Sequence, residues 1–184
     1  IGSHTCVELL DAGDDIVVVD NFCNSKPESI DKIKKITGKD FLFYEADLLD
    51  KEAVERIFSE NEITAVIHFA GLKAVGESVS MPIAYYHNNI TSTLLLCEIM
   101  RAHNVKKIVF SSSATVYGDP ASVPIREDFP LHTTNPYGST KLMIEQILQD
   151  VYVSDHEWGI VLRRYFNPIG AHKSGLIGED PNGI

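Results

Sequence analysis

Tryptophan occurs once and cysteine three times in these 184 residues, and basic side chains are outnumbered by acidic ones, 16 against 26. Each shortage excludes something. Cys6, Cys23 and Cys97 have neither C-x-x-C spacing nor an even count, so no disulfide framework is expected, and reduced thiols in a cytoplasmic setting are the default. A net charge of -10 with no basic cluster speaks against nucleic acid and against an anionic membrane as partners, while leaving room for a small anion held by a local site. The longest mostly apolar stretch, 63 to 72, is broken by His68 and falls well short of the ~20 residues that span a bilayer. No signal peptide is recognisable. The 7 histidines show no metal-ligand spacing, so no metal is expected.

What is present is material for a core. At 44% hydrophobic content the chain suits one domain and is too short for two ordinary ones. It opens on Ile1-Gly2-Ser3, without an initiator methionine or a preceding strand, and so reads as a segment of something longer.

Apolar runs alternate with amphipathic stretches along the chain. A helical pattern from His4 ends at Gly13, a natural helix stop, and DIVVVDN follows as a buried run ending in an acid. FLFYEAD (41 to 47), AVIHFAG (65 to 71), KKIVFSSS (106 to 113) and GIVLRRYFN (159 to 167) read as further strands. The segments 51 to 61, 83 to 103 and 136 to 153 read as helices, and 22 to 30, 72 to 82 and 117 to 135 are the least regular. Apolar runs without strict alternation, separated by helices, are what a parallel sheet covered on both faces requires. The expected fold is therefore a doubly wound α/β sheet, in which ligands sit where the strands stop.

Those strand ends carry a pattern. Asp20 closes IVVVD 18 residues after Gly2, near the ~20-residue offset at which an acid contacts a ribose hydroxyl and favours NAD over NADP. Gly2, in IGSHT, fits the last glycine of a phosphate-binding loop whose first strand and first two glycines are expected upstream of residue 1. Asp47 ends the next strand, where it can face an adenine ring or simply cap the following helix. HFAG (68 to 71) ends a strand in small residues that let backbone approach a flat ligand, or merely make a tight turn.

SSSATVYG (111 to 118) sets three hydroxyls where a strand runs out, and Tyr137 of NPYGSTK follows Ser113 by 24 residues. Asn135 is a good N-cap and Pro136 suits the first helical position, so Tyr137 and Lys141 share one helix face, one turn apart. A surface pair is the plain alternative for Y-x-x-x-K, and a polar strand end for SSS. Together, however, the three side chains match a task. Taking the hydroxyl proton during hydride transfer from a carbinol needs a base, and a tyrosine with a pKa near ~10 requires help from a neighbouring positive charge. A serine hydroxyl can bond the same oxygen.

Asp20, HFAG, SSSATVYG and Y-x-x-x-K together resemble the extended short-chain dehydrogenase/reductase superfamily. HFAGLKAVGES (68 to 78), YYHNN (85 to 89), SSSATVYGDP (111 to 120), RYFNPIGAH (164 to 172) and GEDPNGI (178 to 184) narrow the resemblance to its UDP-glucose 4-epimerase family, over essentially the whole chain. The resemblance implies a Rossmann-like NAD-binding domain over 1 to 170, truncated at its start, and the opening of a UDP-sugar domain over 171 to 184, its remainder absent. It implies that Asp20, Asn21, Asn24 and Ser25 contact the adenosine side of NAD, with Asp47 and Leu48 near the adenine. Phe69, Ala70, Gly71 and Lys73 would line the path to the nicotinamide, Lys73 also facing substrate, and Asn89 would reach cofactor phosphates or ribose. Tyr165 and Phe166 would pack beside the nicotinamide, Asn167 would reach the substrate diphosphate, and Ser113 and Thr115 would touch the hexose.

In the mechanism so implied, Tyr137 removes the 4-hydroxyl proton while the C4 hydride passes to NAD. The 4-keto sugar turns over and the hydride returns to its other face, interconverting UDP-glucose and UDP-galactose. Lys141 is the cofactor-holding lysine. The family's homodimer would pair the helices at 83 to 103 and 136 to 153, with Leu142, Ile144 and Ile147 as candidates. A sugar-nucleotide dehydratase, a UDP-N-acetylhexosamine epimerase and a catalytically silent NAD-binding protein are the competing readings. One departure stands out: YGSTK replaces the family's usual YGKSK, leaving Ser139 and Thr140 without an evident purpose.

Overall fold

The computed structural model describes residues 1–179, so the end of GEDPNGI lies outside the described residues. Two compact units form: Ile1–Asp47 together with the residues from Asn167 on, and Leu48–Phe166.

In the first unit, α1 (Gly2–Ala12) stops where Gly13 turns left-handed at φ 97° and the Asp14 N–H closes back on Leu9 O. Strands β1 (Val17–Asp20) and β2 (Leu42–Glu45) pair in parallel, Val17 opposite Leu42 and Asp20 opposite Glu45. Between them lies α2 (Glu28–Thr37), a helix that the reading of 22 to 30 as irregular did not anticipate. Its signals are Glu28 and Asp31 in the first turn, Lys34 and Lys35 in the last, and Gly38 beyond, the charge order that a helix dipole favours. Val7, Leu10, Ile33 and Ile177 make this unit's core.

In the second unit, α3 (Lys51–Glu60) is capped by Asp50, whose carboxylate accepts the Ala53 N–H at 3.0 Å. Strands β3 (Val66–His68), β4 (Lys107–Ser113) and β5 (Gly159–Tyr165) form a parallel sheet in the order β3-β4-β5, with Ser113 opposite Tyr165. Parallel strands joined through helices bear out the doubly wound expectation. Ile108 and Phe110 of β4 are sealed by Leu96, Ile99 and Met100 from one helix and by Ile144 and Leu148 from another. Ile144 is thus core and is not available for pairing between subunits.

The expected long helix at 83 to 103 forms as consecutive helical segments with a π turn inside it. After α4 (Val75–Ser80), inside a segment expected to be irregular, come α5 (Pro82–Tyr86), a π turn (His87–Thr91) and α6 (Ser92–Ala102). The cause is local competition for a carbonyl: Asn89 O accepts the side chains of Thr93 and Ser92 at 2.8 and 3.3 Å, and a π turn widens the backbone there. By contrast α7 (Pro136–Ser154) starts as anticipated, with Asn135 Oδ1 accepting the Gly138 N–H at 2.8 Å.

Candidate active site

Two clusters of candidate residues form, one in each unit. In the first, β1 delivers Asp20 to a turn it organises itself. Its Oδ1 accepts from the Phe22 N–H and from Ser25 Oγ, both at 2.8 Å, and Asn21 Oδ1 accepts the Cys23 N–H at 3.1 Å. Asn21 Nδ2 donates to Asp47 Oδ2 at 3.0 Å, so Asp47 joins the turn, and capping of α3 falls to Asp50. Phe22 holds a left-handed φ of 54° and its ring lies 5.2 Å from that of Phe43. The Cys23 thiol is pushed up, chiefly by burial and then by Asp20 and Asp47, which makes it a poor nucleophile. Gly2 opens α1, and Asn167 lies exposed.

The second cluster gathers where β4 ends. Ser113 Oγ accepts from Thr115 N and Thr115 Oγ1 at 3.2 and 3.0 Å, and the Ser113 hydroxyl acts to lower the pKa of the Tyr137 phenol. Lys141 is buried; its Nζ donates to Ser111 O at 2.8 Å and stands 4.9 Å from the Phe110 ring centroid and 5.8 Å from that of Tyr137. Ser113, Thr115, Tyr137 and Lys141 are thus brought together. Burial pulls the Lys141 ammonium down to about 8 and holds the Tyr137 phenol above its ordinary value, with the Ser113 hydroxyl acting against that rise. The expected depression of the phenol by Lys141 is therefore outweighed in the protein alone: a phenolate loses more by desolvation than it gains here.

The strand-end loops complete this cluster. Phe69 and Tyr165 rings lie 6.4 Å apart, Phe166 is 56% exposed, and Ala70 and Lys73 are exposed. Asn89 is buried, its Oδ1 accepting from Leu72 N at 2.8 Å while its Nδ2 donates to Leu72 O and Thr140 Oγ1 at 3.0 and 3.1 Å. It staples the turn after Gly71 to α7. Leu48 packs against the core of this unit.

Thr140 now has a purpose, since its hydroxyl also donates to Tyr137 O at 2.7 Å. Ser139 bonds Thr133 Oγ1 at 2.7 Å and donates to Asn135 O at 3.1 Å. Gly138 suits a close approach, because a Cβ there would stand 3.1 Å from Thr115 O.

Other supporting residues escaped the reading of the sequence. Ser78 accepts the Tyr137 N–H at 3.1 Å. Glu145, fully buried, takes Arg164 Nε and Nη2 on its two oxygens, at 3.0 and 2.7 Å, and accepts from Ser112 Oγ; Arg164 Nη1 donates to Tyr117 Oη at 2.8 Å. A forked pair of this kind ties α7 to the ends of β4 and β5, and removing Arg164 alone would strand the buried Glu145 carboxylate. The four-residue spacing Tyr137, Lys141, Glu145 along one helix face was the available signal. His68, sealed in the core with Nε2 3.0 Å from Thr93 Oγ1, is driven by burial down to about 3, and so stays neutral.

The family described as NAD dependent epimerase/dehydratase matches residues 1–179. The chain belongs to the NAD dependent epimerase/dehydratase family. Within it, the chain is 68% identical over its full length to a UDP-glucose 4-epimerase of Bacillus subtilis, covering 54% of that protein, and 59% identical to one of Dictyostelium discoideum, again over 54%. Among solved structures, UDP-glucose 4-epimerase from Bifidobacterium longum in complex with NAD+ and UDP superposes with a TM-score of 0.96 at 59% identity, over 99% of this chain and 55% of that one. The Stenotrophomonas maltophila enzyme with bound NAD and formylated UDP-arabinopyranose gives 0.95 at 44% identity, over 99% and 54%. The chain spans about half the length of the curated relatives it matches.

Proposed function

We propose that the protein is an NAD-dependent isomerase that inverts C4 of a UDP-hexose, interconverting UDP-glucose and UDP-galactose. The observation that carries this is the convergence of Ser113, Tyr137 and Lys141 at the end of β4. The relatives' names and the NAD in solved members of the family support it.

The residues fit NAD. The Asp20 turn offers a carboxylate, amides and a hydroxyl for a ribose and has no arginine to receive a 2′-phosphate. In the first unit, Asp20, Asn21, Asn24 and Ser25 would hold the adenosine end, Asp47 the adenine, and Gly2 would let phosphates approach the start of α1. In the second, Leu48 would flank the adenine, Phe69, Ala70, Gly71, Lys73, Tyr165 and Phe166 would lead to the nicotinamide, and Asn89 would serve the ribose, its amide already fixing the Gly71 turn. NAD, when bound, supplies the acceptor and donor of the C4 hydride and a positive ring charge that favours phenolate.

The chain's own residues do the proton work. Tyr137 takes the 4-hydroxyl proton and returns it; Ser113 and Thr115 bond the sugar oxygen; Lys141, charged below pH of about 8, holds the cofactor side and favours the phenolate. Lys73 would face the substrate in the second unit, and Asn167 of the first would reach the substrate's diphosphate. Residues 1 to 170 act as the NAD-binding part, and those from 171 open the part that binds the UDP-sugar.

Exposed Ile83, Leu94 and Met143 on α5, α6 and α7 support a homodimer through these helices. No helix among the described residues is long and apolar enough to cross a membrane, and the net charge of -10 disfavours nucleic acid; a cytoplasmic setting accords with both.

Tyr137→Phe in the full-length protein is the test. Interconversion falls about a thousandfold or more while NAD stays bound; near-normal turnover overturns the reading.

A further inference from the structure

Helix α7 begins with an amide that its own cap does not serve. Pro136 has no N–H, and the Asn135 side chain accepts from Gly138, which leaves the Tyr137 amide to find an acceptor elsewhere, as first-turn amides must. It finds one 59 residues away in the sequence: Ser78 Oγ accepts the Tyr137 N–H at 3.1 Å and donates to Val75 O at 2.6 Å. Ser78 is wholly buried. Its own support is firm, because buried Tyr85 ties down the first turn of α4, accepting the Ala74 N–H at 3.0 Å and donating to Glu77 at 2.6 Å.

We infer that Ser78 is a positioning residue for the base: by holding the Tyr137 amide from outside the helix, it sets the phenol against Ser113. Three further contacts close the other sides of the same turn. Thr115 blocks Gly138, and Asn89 reaches Thr140, which in turn bonds Tyr137 O. Among the described residues, Ser78 is the one that engages the amide of the reacting residue itself. A hydroxyl fits this duty because it accepts one hydrogen bond while donating another, whereas an alanine would leave a partly buried N–H without this acceptor. Lys73, which the epimerase reading places toward the nicotinamide, lies just before α4, so the loop that carries it is linked through Ser78 to the base.

The inference rests on the epimerase reading for its rate measurement only. In the full-length protein, Ser78→Ala lowers kcat about ten- to a hundredfold with KM for UDP-galactose unchanged, as misplacing a reacting group does. Ser78→Cys, close in size and a weaker acceptor, falls between. Ser80→Ala, which loses only an exposed bond to Glu77 O, behaves as wild type. In parallel, 13C NMR of labelled tyrosine, with the signal assigned through Tyr137→Phe, follows the Tyr137 phenol, and its titration midpoint moves in Ser78→Ala. Wild-type kcat and an unmoved midpoint in Ser78→Ala overturn the inference, and so does a lowered Tm with neither changed. Should Ser78→Ala not fold, Ser78→Cys is judged by the same two readings. Should the wild-type protein not epimerise at all, the functional reading fails, and the phenol titration decides the positioning claim by itself.

Discussion

The Asp20 turn and the start of α7 are both knitted from polar side chains, yet over very different reaches of chain. Asp20 bonds groups two and five residues on and Asn21 bonds a group two residues on, while the Asn21–Asp47 bond crosses 26 residues. Around Tyr137 the bonds cross 59 residues to Ser78, 51 from Thr140 to Asn89, 30 from Lys141 to Ser111 and 33 from Glu145 to Ser112. The turn is largely self-made, whereas the helix start, with Gly138, Thr140 and Lys141 buried, is held by the rest of its unit. A local motif of the first kind should tune affinity, and a supported one of the second kind should govern rate.

Breaking the comparison begins with its largest effect. Beside the loss of turnover expected for Tyr137→Phe, Asp20→Ala removes the carboxylate that organises its turn and would meet the ribose. NAD affinity in the full-length protein drops about tenfold or more, by titration, with kcat at saturating NAD within about twofold of wild type. A large fall in that kcat would mean that the two regions are not separable in this way.

A smaller effect sharpens the buried side. The Lys141 ammonium titrates at about 8 in the folded protein against an ordinary 10.5. Between those values the unfolded chain carries a proton that the folded chain has released, so wild-type stability rises with pH across that window, and the gain is lost as pH falls through 8. Measured as Tm, wild type therefore gains on Lys141→Met between pH 8 and pH 10. A constant difference would show that Lys141 is not desolvated as described.

The same contrast explains what could be read in advance. The alternation of apolar runs and helices, the Asn135–Pro136 start of α7 and the acid at the end of β1 are local patterns, and each stands where expected. The π turn at Asn89 was not legible, because it depends on side chains competing for one carbonyl within a stretch of uniform helical character. Ser78 was hidden for another reason: its short helix has no apolar stripe, and its partner lies 59 residues away. The rise of the phenol's pKa in the protein alone was not legible, because spacing reveals a neighbouring lysine, whereas burial, the largest cause, is a property of the packed unit.

The central claim is that Tyr137 and its neighbours manage a proton while one hydride leaves C4 and comes back to the same carbon. The direct measurement supplies the full-length protein with UDP-galactose carrying deuterium at C4, in ordinary water. The account predicts UDP-glucose with the deuterium retained at C4 and no net NADH. Loss of the label to solvent would contradict it.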